Sequence, residues 1–121
     1  MANEISATIS ISASKSGATV SASGSVTATM SGDQMISNVQ IIGTSSESVL
    51  LGDVTTIGYV YLRNMDATNF VSISALATAV AGTSFCKLLA GDACIFKAVS
   101  TQLTAIADTA PVNLQVFALE L

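Results

Sequence analysis

Two stretches of strict two-residue alternation, joined by a turn that reverses their parity, constrain this chain more than any other feature. Ile5, Ala7, Ile9, Ile11 and Ala13 alternate with Ser6, Thr8, Ser10, Ser12 and Ser14. After Lys15-Ser16-Gly17-Ala18 the apolar residues fall on even numbers: Val20, Ala22, Gly24, Val26, Ala28 and Met30. A period of two specifies an extended strand with one apolar face. If Ser16-Gly17 is a two-residue turn, opposing residues sum to 33, so Ile11 faces Ala22, Ile9 faces Gly24 and Ile5 faces Ala28. That register puts every apolar side chain on one side, and a slip of one residue would scatter them. Eleven residues per strand make a ribbon about 35 Å long.

A bare two-stranded ribbon is marginal in water, and this one offers small residues rather than bulky anchors. Its edges lack proline and carry only Glu4 and Lys15 as charges, so they have little protection against further pairing. The ribbon therefore needs a covering surface, either its own domain or neighbouring copies. The predicted contact face is Ile5, Ala7, Ile9, Ile11, Val20, Ala22, Val26 and Met30.

Beyond Ser31-Gly32-Asp33-Gln34 the strands shorten and the apolar residues grow larger. The pattern predicts strands over 35–44, 48–51, 59–64, 70–75, 84–88, 93–97, 103–107 and 112–119, separated by Gly, Asp, Asn and Pro. Val112, Leu114, Val116 and Ala118, alternating with Asn113 and Gln115, form the clearest half-buried strand of this part. Residues 75–81 are the one stretch that fits a helical turn, closed by Gly82. No longer segment keeps a 3.6-residue apolar stripe. The expectation is an all-β chain: residues 1–31 as a hairpin arm and 32–121 as an antiparallel β-sandwich core, jelly-roll-like, in a single domain overall.

Composition narrows the function. Half of the 121 residues are hydrophobic and only 10% are charged, against about 25% in an ordinary soluble domain. Four basic residues against eight acidic ones leave a net charge of −4 and no basic run, which argues against nucleic acid as a partner. There is no histidine, so imidazole chemistry is excluded. The start, Met1-Ala2-Asn3-Glu4, does not read as a signal peptide. The longest apolar run is too short to span a bilayer, and six aromatics are too few for the girdles of an outer-membrane barrel. A membrane is therefore not an expected partner.

Each candidate for chemistry reads better as structure. Asp53, Asp66, Asp92 and Asp108 lie in turn contexts where the side chain caps backbone amides. The run Asn64-Met65-Asp66-Ala67-Thr68-Asn69 resembles the first half of a calcium loop. It lacks the central Gly and the distal Glu, and reads as a hairpin loop. No nucleophile elbow, phosphate-binding loop or dinucleotide fingerprint is present, and two cysteines without histidine cannot close a zinc site. No catalytic residue, metal ligand or cofactor is expected. Cys86 and Cys94 flank the turn Leu89-Ala90-Gly91-Asp92 and could meet across a hairpin; two buried thiols are favoured over a disulfide in a cytoplasmic product. Ser and Thr make up about a quarter of the chain, which suits a wetted strand face or one packed on another protein; an ice- or polysaccharide-like lattice would demand a repeat over more strands than one hairpin.

The segment from Leu51 to Val71, above all Asn64-Met65-Asp66-Ala67-Thr68-Asn69-Phe70-Val71, resembles small structural proteins of tailed bacteriophage virions. Lys87-Leu88-Leu89-Ala90-Gly91-Asp92, the run Ala107 to Ala110 and the Ser-rich opening are similar to the same group. The resemblance implies a non-enzymatic capsid cement or decoration protein, assembled in the host cytoplasm and placed on the capsid surface. Its partners would be the major capsid protein and copies of itself, with a homotrimer favoured. A tail- or fibre-associated host-recognition module is the alternative. Residues 75–83 depart from the pattern as a longer, more apolar insert.

Overall fold

A computed structural model describes residues 4–76, 78–82, 84–98 and 102–120. Among them there are ten strands and no helix, so the expected helical turn at 75–81 does not form in its described part. Every strand pairing is antiparallel. The chain divides into two compact units, Met1–Ser31 and Gly32–Leu121.

The first unit is the ribbon, β1 (Ile5–Lys15) and β2 (Ala18–Ala28). Its register runs from Ile5 opposite Ala28 to Lys15 opposite Ala18, the sum of 33 that the alternation predicts. Ser16 and Gly17 both have positive φ, 53° and 84°. Two central residues in that region make the type I′ turn whose twist matches that of the flanking strands.

The second unit holds β3 (Met35–Ile42), β4 (Glu47–Ser48), β5 (Ile57–Asn64), β6 (Val71–Ser74), β7 (Cys86–Leu88), β8 (Ala93–Lys97), β9 (Thr104–Ala107) and β10 (Val112–Glu120). They form two four-stranded sheets, ordered β3-β10-β5-β8 and β4-β9-β6-β7. The chain changes sheet at every connection except β6 to β7. Alternate residues of both sheets enter one core: Val60, Leu62, Leu114 and Val116 from the first, Val71, Ile73, Ala105 and Ala107 from the second. Fully burying a side chain of this size contributes roughly 1.5–3 kcal/mol, and this core is what holds the sheets together.

Two strands, β3 and β4, end two or more residues earlier than the sequence suggests, for local reasons. β3 stops at Ile42 because the Gly43 N–H is taken by the Glu47 carboxylate (2.8 Å). β4 is only two residues long because the Gln40 side chain competes for its backbone, accepting from Leu50 N–H (2.8 Å) and donating to the Ser48 carbonyl (3.0 Å).

Asn64, fully buried at the end of β5, ties the two sheets together. Its amide donates to the Asn69 and Leu88 carbonyls (2.8 and 3.0 Å), and its side-chain oxygen accepts from Asp66 N–H (2.9 Å). Buried polar groups are tolerated when all their bonds are made, and here the bonds fix both the 64–69 loop and the end of β7.

Candidate functional site

Two of the four turn aspartates, Asp66 and Asp92, act as caps. Asp66 Oδ2 accepts from the backbone of Thr68 (2.9 Å) and Asn69 (2.7 Å), and these bonds hold its carboxyl below the usual range. Asp92 Oδ2 accepts from Leu89 N–H (3.0 Å). Glu120 accepts from the backbone and hydroxyl of Thr55 (3.0 and 2.9 Å), which likewise lowers its pKa. Each carboxylate is engaged in holding backbone, and among the described residues no cluster of three His, Cys, Asp or Glu is placed to hold a metal ion. No helix among them is long and apolar enough to cross a membrane.

Exposed apolar surface is what remains. On the ribbon, the register places Ile9 opposite Gly24, Ile11 opposite Ala22 and Ala13 opposite Val20, all on one face. The other face carries Ser10 opposite Ser23, Ser12 opposite Ser21, and Ser14 opposite Thr19, the last pair within hydrogen-bond distance at 3.2 Å. Ile11 is 71% exposed and Val20 69%, and Ile9 and Val26 are also open to solvent. Near the tip the twist leaves a shallow cavity of about 200 Å³ lined by Ile11, Ser12, Ala13, Val20, Ser21 and Ala22.

The predicted contact residues thus divide. Ile5 and Ala7, at the base of β1, are only 3% and 7% exposed. Met30 lies past the end of β2, half-buried, with its N–H donating to the Glu4 carboxylate (2.9 Å). The accessible part of the face is Ile9, Ile11, Val20, Ala22 and Val26.

A second apolar face lies on the side of the β3-β10-β5-β8 sheet turned away from the core. Met35 pairs with Leu119, Tyr61 with both Phe117 and Ile95, and Val39 and Ile41 continue the row along edge strand β3. Met35, Val39, Ile41 and Phe117 are exposed, and Tyr59 and Tyr61 half-buried. Sequence reasoning did not identify this face. The available signal was the parity of β3: odd positions 35, 39 and 41 are apolar while the core-side positions 38 and 40 are Asn and Gln.

A third apolar area surrounds the insert at residues 75–83, of which 77 and 83 lie outside the described residues. Leu76, Val80 and Phe85 are exposed around a surface cavity of about 290 Å³. Its backbone is held by serines: Ser74 Oγ accepts from Leu76 N–H, Ser46 Oγ from Ala79 N–H, and Ser72 Oγ from Gly82 N–H.

Cys86 and Cys94 do meet, but not across a hairpin of one sheet. β7 pairs with β6 and β8 with β5, so the Leu89–Asp92 turn carries the chain from one sheet to the other. The two thiols are free, half-buried, and 3.8 Å apart between the sheet edges. The hydrogen bond between the two thiols lowers the pKa of Cys86 to about 7; the same bond and burial push that of Cys94 up.

A scan of the chain against protein-family models gave no match, and searches of curated proteins and of solved structures gave no significant one.

Proposed function

We propose that this chain is a non-enzymatic structural protein of a tailed-bacteriophage virion, a capsid cement or decoration protein that binds and braces the shell. The observation that carries the reading is the ribbon: a separate compact unit whose apolar face, from Ile9 to Val26, is open to solvent with both edges unpaired in its two-stranded sheet. A two-stranded ribbon of this kind lacks independent stability, and an exposed apolar face of this extent marks a contact surface. The partners are copies of the same chain, as a homotrimer, and the major capsid protein.

The second unit supports the same reading. The strand orders β3-β10-β5-β8 and β4-β9-β6-β7, with a change of sheet at every connection but one, support reading this unit as a jelly-roll-like β-sandwich. That architecture is common in viral capsid proteins, although architecture alone assigns no function. If each copy covers on the order of 1,000 Å² in the assembled shell, apolar burial at about 25 cal/mol per Å² exceeds the costs of association and accumulates over many copies.

One observation favours a second reading, a host-recognition module at the tail or fibre: the outward row of Tyr59, Tyr61 and Phe117, since aromatics on a flat sheet suit contact with sugars. Copy number separates the two. Quantitative mass spectrometry of purified particles gives on the order of hundreds of copies for a shell protein and on the order of ten for a tail component. Absence from particles overturns both.

A further inference from the structure

The two sheets of the second unit share one core, yet at the edge formed by β7 and β8 the described structure joins them covalently only through the Leu89–Asp92 turn. Cys86 stands on β7 opposite Ile73, and Cys94 on β8 opposite Leu62. Both partners are core residues, so the two sulfurs meet in the space between the sheets, 3.8 Å apart. A disulfide bond is about 2.0 Å long, so the sulfurs have about 1.8 Å to close. β7 and β8 are both edge strands with one hydrogen-bonded neighbour each, which leaves them free to shift by that amount. Both thiols are partly solvent-accessible, and the chain has no third cysteine to compete for either.

We propose that Cys86 and Cys94 are a redox-closable staple: on reaction with a small-molecule disulfide, here glutathione disulfide, they form an intramolecular bridge that locks the two sheets together at their β7/β8 edge. The Cys86 thiolate attacks one sulfur of glutathione disulfide, forming a mixed disulfide and releasing one glutathione thiolate. Cys94 then gives its proton to solvent and attacks the Cys86 sulfur, closing the protein bond and releasing the second glutathione. Two cysteines are oxidised and one glutathione disulfide is reduced to two thiols. Cys86 is the first attacker because its sulfur, with a pKa of about 7, is substantially ionised near neutral pH while Cys94 is held as the thiol.

The bridge would close a loop of nine residues, which in the chain-entropy account limits the unfolded state enough to raise the melting midpoint of a unit of this size by roughly 10 °C or slightly more. It forms in the chain itself, whatever particle the chain joins.

The test uses the full-length protein, reduced and then incubated with glutathione disulfide, with thiol titration, intact mass and scanning calorimetry as readouts. The expected result is loss of both thiols, a mass lower by two hydrogens with no glutathione retained, and a midpoint higher by roughly 10 °C that dithiothreitol reverses. Cys86→Ser and Cys94→Ser each keep at most a single glutathione adduct and gain nothing in midpoint. The proposal is overturned if the wild-type chain keeps both thiols, stops at a persistent glutathione adduct, bridges only between chains, or closes the intramolecular bond with no rise in midpoint.

Discussion

The ribbon and the two-sheet unit are built from the same kind of alternating strand, yet they use it in opposite ways. In β5 and β10 the apolar alternation faces a second sheet, and Val60, Leu62, Leu114 and Val116 are fully buried. In β1 and β2 the alternation faces solvent over most of its length. Side-chain size follows this division in part: the core is mostly Leu, Ile and Val with Ala105, Ala107 and Ala118 among them, whereas about half of the ribbon's apolar face is Ala and Gly. Alternation therefore specifies a strand and its two faces, but only a facing layer in the same chain turns one of them into a core. Where no such layer is present, as over most of β1 and β2, the apolar face stays open to solvent.

The difference is broken most sharply by removing one unit. Deleting residues 1–31 is expected to leave a core that unfolds cooperatively in urea while abolishing both self-association and particle binding, measured by sedimentation with purified particles. Retained binding would move the contact to the second unit. Within the core, Leu62→Ala should cost about 2–5 kcal/mol in urea denaturation, because the side chain is wholly buried between the sheets. Asn64→Ala follows at roughly 2–3 kcal/mol, since it strands the Asn69 and Leu88 carbonyls and the Asp66 N–H.

Val20→Asp in the ribbon has the reverse profile: core stability within about 0.5 kcal/mol of wild type, with association weakened by at least tenfold in analytical ultracentrifugation. A loss of core stability comparable to that of Leu62→Ala would erase the distinction between the two units.

The smallest effect is on the acid side. The folded pKa values of Asp66 and Glu120 are lowered by backbone and hydroxyl donors. Their contributions are therefore present above the unfolded values, near 3.8 and 4.5, and are lost as pH falls through the lower folded values. Glu120→Gln should lower the unfolding midpoint at pH 7 and flatten its decline below pH 4.5, so that variant and wild type converge in acid.

Much of this was legible in the chain. The ribbon's register followed from parity and one Ser-Gly turn, and seven of the eight later strands lie close to where alternation and turn residues put them; β4, at Glu47–Ser48, shares only Ser48 with the expected 48–51. What periodicity does not encode is which sheet a strand enters: β7 and β8 flank a four-residue turn signal and yet pair with different partners. The inter-sheet role of Asn64 was equally hidden, because the carbonyl of Leu88 that it holds lies 24 residues away. The face of Met35, Val39, Ile41 and Phe117 was missed for a third reason. Sequence reading assigns large apolar residues to the core, and here the core-side positions of β3 are partly polar because Gln40 is spent on the β4 backbone. Seven of the eight predicted contact residues share one ribbon face by register, and Met30 lies past the end of β2; alternation alone does not report that Ile5 and Ala7 are buried.

The central claim is that the ribbon's open apolar face is covered by other chains. Sedimentation equilibrium of the isolated full-length protein across a wide concentration range tests it directly. The account predicts a mass three times that of the 12.2 kDa chain, reverting toward the monomer in Val20→Asp. A wild-type protein that stays monomeric and freely soluble at every concentration would contradict it.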